Sequence, residues 1–121
     1  MATQTESRWQ DIFNHLKQHG FDVYSPGVKT GTCKSPYVVV MNNGATRYPG
    51  ISTMVDTYSV MVYVPQQSYS QLEVQVESVK AVMKKMEPMI LPNNFQTPSF
   101  YDDSFKAHMI SVEYRNYKKM L

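Results

Sequence analysis

Met54-Val55-Asp56-Thr57-Tyr58-Ser59-Val60-Met61-Val62-Tyr63-Val64, closed by Pro65, is the longest strand-like stretch in the chain. Tyr58, Val60, Val62 and Val64 fall on one face, which Asp56 continues toward its polar end, and Ser59, Met61 and Tyr63 fall on the other. Both faces carry large side chains, so the stretch predicts a strand with both faces at least partly covered. Upstream, Pro36 opens Tyr37-Val38-Val39-Val40-Met41, a β-branched run of the same kind, and Asn42-Asn43-Gly44 supplies residues that tolerate positive φ. This pattern predicts a hairpin with a return strand begun by Thr46 to Tyr48 and broken by Pro49-Gly50. Downstream, Phe105 to Tyr117 alternates as a closing strand, with His108, Ile110, Val112 and Tyr114 on one face and Ala107, Met109 and Ser111 on the other.

Two helices flank these strands. Trp9, Ile12, Phe13 and Leu16 recur at three-and-four spacing, Ser7 with Gln10 resembles a capping box, and Gly20 stands where a left-handed cap belongs, which predicts a helix from about Ser7 to His19. Leu72, Val76, Val79, Met83 and Met86 predict a second, started by Ser70 with Glu73 and stopped near Glu87 by Pro88. Phe21 to Ser35 reads as loop with a short extended piece at Asp22 to Tyr24, and Pro88 to Ser104 as an unusually long loop. The fold class expected is α+β: one domain over residues 1–121, a mostly antiparallel sheet of about four strands packed by two helices, in the order α-β-β-β-α-β. The helix between the last two strands permits a parallel crossover, whereas the long loop after it permits reversal, so the direction of the closing strand stays open.

At 121 residues the chain can bury a real core without metal or disulfide staples, and the lone cysteine, Cys33, has no internal partner. Its longest apolar runs, Tyr37 to Met41 and Val60 to Val64, are five residues each, against the roughly 20 that a membrane-spanning helix needs. MATQTESRWQ lacks the pattern of an export signal, so the expectation is synthesis in the cytoplasm with no membrane partner. Net charge is +2 with the signs scattered. Lys80 with Lys84 and Lys85, and Arg115 with Lys118 and Lys119, read as solvated faces rather than a phosphate-tracking stripe. Nine Tyr and nine Met suit either a protein-binding surface or a core filled by adaptable side chains.

No pattern of catalytic or ligand-binding chemistry emerges. Gly27 to Ser35 has the residue types of a phosphate loop, but three residues rather than four separate its glycines and two separate Gly31 from Lys34. His15 and His19 have the four-residue spacing of a metal pair, yet no Glu follows His15 and His108 is remote in sequence, so a solvated helix flank is favoured. Cys33 has no catalytic signature, and the adjacent Asp102 and Asp103 suit a turn better than an acid–base pair. The expectation is therefore a protein that is not an enzyme and takes no metal or cofactor.

Several segments together resemble the tail terminator (tail completion, head–tail joining) proteins of phages and prophages of Gram-positive hosts. They are Cys33-Lys34-Ser35-Pro36-Tyr37-Val38-Val39-Val40, Tyr58 to Pro65, Leu72 to Pro88, Gln96-Thr97-Pro98-Ser99-Phe100-Tyr101-Asp102-Asp103, and Lys106 to Arg115. The resemblance implies a structural virion subunit that forms a ring with copies of itself, typically a hexamer, at the tail–neck junction. Such a ring ends tail-tube polymerisation and presents a surface to the head-side connector; its partners are the tube and connector proteins, and DNA can pass through its lumen without specific binding. By analogy, interface roles fall to the segments Asn43 to Thr53 and Asn93 to Asp103, and within them to Asn43, Arg47, Tyr48, Phe95, Phe100, Tyr101, Asp102 and Asp103. Two alternatives remain: another neck component, such as a head-completion or adaptor protein, and a small-ligand-binding host protein whose Phe95 to Tyr101 segment lines a pocket.

Overall fold

A computed structural model describes residues 8–47 and 53–119. In chain order the elements are α1 (Arg8–Gln18), β1 (Val23–Tyr24), β2 (Tyr37–Arg47), β3 (Thr53–Pro65), a 3-10 helix (Gln66–Gln71), α2 (Leu72–Lys84), β4 (Leu91–Gln96), β5 (Phe100–Asp102) and β6 (Ala107–Lys119). The fold is α+β, with one mixed sheet of six strands in the order β1-β2-β3-β6-β4 and β5 beside β4 on the outer side of β6. β1 is parallel to β2, and every other pairing is antiparallel.

β3 is central as its doubly apolar pattern requires, hydrogen-bonded along its whole length to β6, from Thr53↔Lys119 to Pro65↔Ala107. The closing strand therefore runs antiparallel to β3. Since β4 is antiparallel to β6, it runs parallel to β3 without touching it, and α2 makes the crossover between them. β6 then returns into the gap, giving a split β-α-β arrangement.

Four expectations need correction. Asn42-Asn43-Gly44 does not turn the chain: pairing passes from Asn42↔Tyr58 to Gly44↔Thr57, so Asn43 is the extra residue of a β-bulge and Thr46 and Arg47 continue β2 rather than beginning a return strand. Gly44 adopts φ +99°, and the Asn42 side-chain oxygen accepts its backbone N–H at 2.6 Å, so the turn chemistry is spent inside a strand. The expected loop from Pro88 to Ser104 contains β4 and β5, both laid along β6. Ser70 does not cap α2: the 3-10 helix runs directly into it, Gln71 occupies the cap position, and no side-chain cap bond forms. Finally α2 ends at Lys84 rather than near Glu87, and turns follow it. The short extended piece expected at Asp22 to Tyr24 is present as β1, the sheet's parallel edge strand.

Helix α1 closes as its sequence predicts. Gly20, at φ +93°, donates to the Lys17 carbonyl and Phe21 to that of Leu16, the paired bonds of a left-handed helix cap. Trp9 Nε1 donates to the Val40 carbonyl at 2.7 Å, tying α1 to β2. Ile12 and Leu16 of α1, Leu72, Val76, Val79 and Met83 of α2, and Val38, Val40, Tyr58, Val60, Val62, Val64, Ile110, Val112 and Tyr114 of the sheet form one buried core. Each such aliphatic side chain contributes about 1.5–3 kcal/mol of burial free energy.

The opposite face of the sheet holds a smaller cluster: Cys33, Tyr37, Val39, Tyr63, Ala107 and Met109, with Tyr24, Met61 and Phe105 against it. Its cover is irregular chain. The segment 25–33 crosses this face as a strap, fastened where Cys33 N–H donates to the Phe105 carbonyl at 2.7 Å and where the Lys29 ammonium lies over the rings of Tyr24 and Tyr37. Among the described residues, no helix is long and apolar enough to cross a membrane.

Candidate protein interface

Several large apolar side chains stay exposed on the 3-10 helix, on and after α2, and on β4 and β5. Tyr69 on the 3-10 helix, Val74 on α2, Met89 beyond it, Phe95 on β4, and Phe100 and Tyr101 on β5 are all between 38% and 54% exposed, and Val28 on the strap is the other exposed large hydrophobic among the described residues. Scattered single exposures are ordinary, but Tyr69 and Tyr101, which both lie against His108, and Phe95 on β4 put exposed aromatic rings along one side of the β4–β5 edge, as a surface that meets a partner does.

The local chain explains how this surface stays open. Between Pro92↔Tyr114 and Gln96↔Val112, β4 carries three residues where β6 carries one, and Asn94 takes φ +56° to accommodate them. This bulge leaves Phe95 51% exposed beside α2. Asn93 steadies the bulge by donating to Glu113, and Arg115 donates to the Pro92 carbonyl. Thr97 resumes pairing through reciprocal bonds with Ser111, one from each backbone N–H.

Two grooves result between α2 and this edge, meeting at Gln96. The first encloses about 440 Å³ among Phe95, Pro92 and Tyr114, with Lys80, Lys84, Glu87 and Glu113 at its walls. Burial, seconded by Glu77 and Glu87, pushes the Tyr114 phenol up to about 12, so it lines the groove as a neutral hydroxyl. The second encloses about 370 Å³, floored by Leu72 and Ile110 and walled by Tyr69, Gln96 and Ser99, with Glu73 as its one charged residue. The hydroxyls of Tyr69 and Ser99 share a hydrogen bond of 3.0 Å across it. His108 lies against Tyr69 and Tyr101, with ring centroids at 4.7 and 5.3 Å, and its Nε2 donates to the Gln66 carbonyl.

The residues nominated from sequence divide into two regions. Asn43 stands in the β2 bulge and donates to the Ser59 hydroxyl, far across the sheet from β4. Arg47 ends β2, paired through its backbone with Met54, and Tyr48 lies outside the described residues. Phe95, Phe100, Tyr101, Asp102 and Asp103 do share the β4–β5 edge, though not one face. Phe100 pairs with Met109 and Asp102 with Ala107 on the strap side, whereas Tyr101 pairs with His108 on the helix side. Asp102 accepts the Ser104 N–H and Asp103 pairs with Lys106 at 2.9 Å, the turn roles expected of them. Sequence reading passed over Tyr69, Glu73 and His108; the aromatic spacing before a helix gave no sign that a strand 30 residues later would meet it.

The other motifs resolve into structure. His15 is not a solvated flank residue: its Nε2 donates to the Val82 carbonyl at 2.7 Å and joins the two helices, while His19 Nδ1 donates to the His15 carbonyl. Among the described residues no three His, Cys, Asp or Glu side chains gather as a metal site would require. Cys33 is 3% exposed, donates to the Ser35 carbonyl, and has its thiol pushed up chiefly by burial. No protein-family model and no curated protein matches the chain.

Proposed function

We propose that the chain is a ring-forming structural subunit of a phage particle, one that caps the completed tail tube, stops its polymerisation and offers the joining surface to the head. The observation that carries this reading is the β4–β5 edge, where the exposed rings of Phe95, Tyr69 and Tyr101 stand at or beside two open grooves, on a body in which, among the described residues, no three His, Cys, Asp or Glu side chains gather as a metal site would require. Its work is then contact with copies of itself, the tube and the connector, and no bond is made or broken. The segments that resemble tail terminators fit this division. Tyr58 to Pro65, Leu72 to Pro88 and Lys106 to Arg115 build the sheet–helix body, and Gln96 to Asp103 is the exposed edge.

Electron microscopy of lysates from the phage or prophage carrying this gene, with the gene disrupted and then complemented in trans, tests the role. Overlong tails free of full heads are the expected result. Tailless heads beside normal tails would assign the chain to the head side of the neck, and unchanged particles would end the virion reading. The 440 Å³ groove beside Phe95 supports a second reading, a small-ligand site, which those unchanged particles would favour.

A further inference from the structure

We propose that copies of this chain join head to tail, the strap turn at Ser25 to Lys29 of one copy seating in the Tyr69–Ser99 groove of the next. The inference deepens the self-associating reading above and rests on it.

The knob lies on the strap face, beside Tyr37, Tyr63 and Phe105, and the groove on the helix face of the same sheet. Ser25 follows β1, the strand at one end of the order, while the groove lies under the β4–β5 edge at the other. Val28, 62% exposed, is the most exposed large hydrophobic among the described residues. Its turn is already in a fixed shape: Val28 N–H donates to the Ser25 carbonyl, Gly27 takes φ +82°, and Lys29 is held over Tyr24 and Tyr37. A preformed turn loses little conformational freedom on docking.

Charge selects between the two grooves. The strap with the two residues that follow it, 25–35, carries Lys29 and Lys34 and no acid. The first groove presents two ammonium groups balanced by two carboxylates, whereas Glu73 is the one charged residue of the second. Leu72 and Ile110 offer Val28 an apolar floor, and the half-exposed Tyr69 ring offers Lys29 a second aromatic face. Because knob and groove are different surfaces, the contact is heterologous, and repetition closes a ring or extends a filament.

Two experiments on the full chain test this. In sedimentation velocity from low micromolar to millimolar, the wild type associates with concentration. Glu73→Lys weakens association by about tenfold or more, and Glu73→Lys combined with Lys29→Glu recovers most of that loss, since each contact then carries the reversed pair. Thermal melts followed by circular dichroism confirm that each variant is folded. In mild oxidation, Val28→Cys protein mixed with Thr97→Cys protein gives the mixed disulfide dimer. A monomeric wild type, association indifferent to the charge reversals, or predominance of the symmetric Val28→Cys dimer would each overturn the proposal. The tail role is read separately. Normal particles after gene disruption, alongside the expected charge-swap series, would remove the virion reading and leave the contact standing; overlong tails with charge-indifferent association would do the reverse.

Discussion

The two faces of the sheet are built from the same strands but differ in how they are closed. On one, α1 and α2 bring Ile12, Leu16, Leu72, Val76, Val79 and Met83 down onto β2, β3 and β6. On the other, a strap with two positive-φ glycines covers aromatic rings, a thiol and a methionine, and is held by one backbone bond and one lysine. Regular elements satisfy their own backbone, so a helix can bury an entire stripe. A loop must leave much of its backbone facing water and buries only what lies beneath it. The helical face should carry the stability, and the strap face should be the one that opens.

The largest test of that contrast is a pair of truncations. Leu16→Ala, which removes a fully buried side chain from the helical face, should cost about 3–4 kcal/mol, and Met109→Ala on the strap face about 2 kcal/mol, measured by urea unfolding. Equal losses would show that the strap closes its side as firmly as the helices close theirs.

Next in size is a response to alkali. Burial is the first cause raising Tyr58 and Tyr114 on the helical face and Cys33, Tyr37 and Tyr63 on the strap face above their ordinary values. An acid whose folded pKa is raised stays protonated in the native state while the unfolded chain releases its proton. Stability is thus fully present below the unfolded pKa, near 8.5 for Cys and 10 for Tyr, and falls as pH rises past it. The melting temperature should fall steadily from about pH 9 upward. Tyrosinate absorbance at 295 nm should show these four tyrosines lagging the exposed ones. Tyr63→Phe should flatten the pH dependence, and an unchanged slope would remove Tyr63 from the cause.

What the sequence disclosed follows the same division. The helical face was legible because its signals are periodic: α1, its cap at Gly20, the apolar stripe of α2, and the even-numbered faces of β3 and β6 all stand as read. The odd-numbered face was read as covered too, with Met61, Tyr63, Ala107 and Met109 on it, but neither the strap that covers it nor the β4–β5 edge was legible. Asn42-Asn43-Gly44 has the composition of a hairpin turn, and the same tolerance of positive φ serves a bulge equally well; only strand pairing decides between them. Leu91 to Asp102 contains two prolines and two asparagines, which depress strand propensity, yet β6 supplies hydrogen bonds along the edge and overrides it. Of the nominated interface residues, Phe95, Phe100 and Tyr101 are exposed on the β4–β5 edge, Phe100 on the face opposite Tyr101, while Asn43 is spent on Ser59 within the sheet. Tyr69 and Glu73 were invisible as site residues because they reach the groove by tertiary packing alone.

The smallest test concerns the turn that fastens the strap. Phe105, whose carbonyl receives Cys33, precedes Lys106, which takes φ +52° although it is not glycine. That conformation costs an L-residue about 1 kcal/mol, and the solvent-screened pair with Asp103 does little to offset it. The Lys106 carbonyl also accepts the Gln66 N–H, so the backbone geometry is fixed from two sides and glycine would inherit it. Lys106→Gly should therefore stabilise the fold by roughly 0.5 kcal/mol after the entropy of the unfolded glycine is counted. It should also slow the reaction of Cys33 with a thiol reagent, because a relaxed turn holds the strap more often closed. Stabilisation without slower Cys33 reaction would separate the turn from the strap and show that this face opens by some route other than release of the Cys33–Phe105 bond.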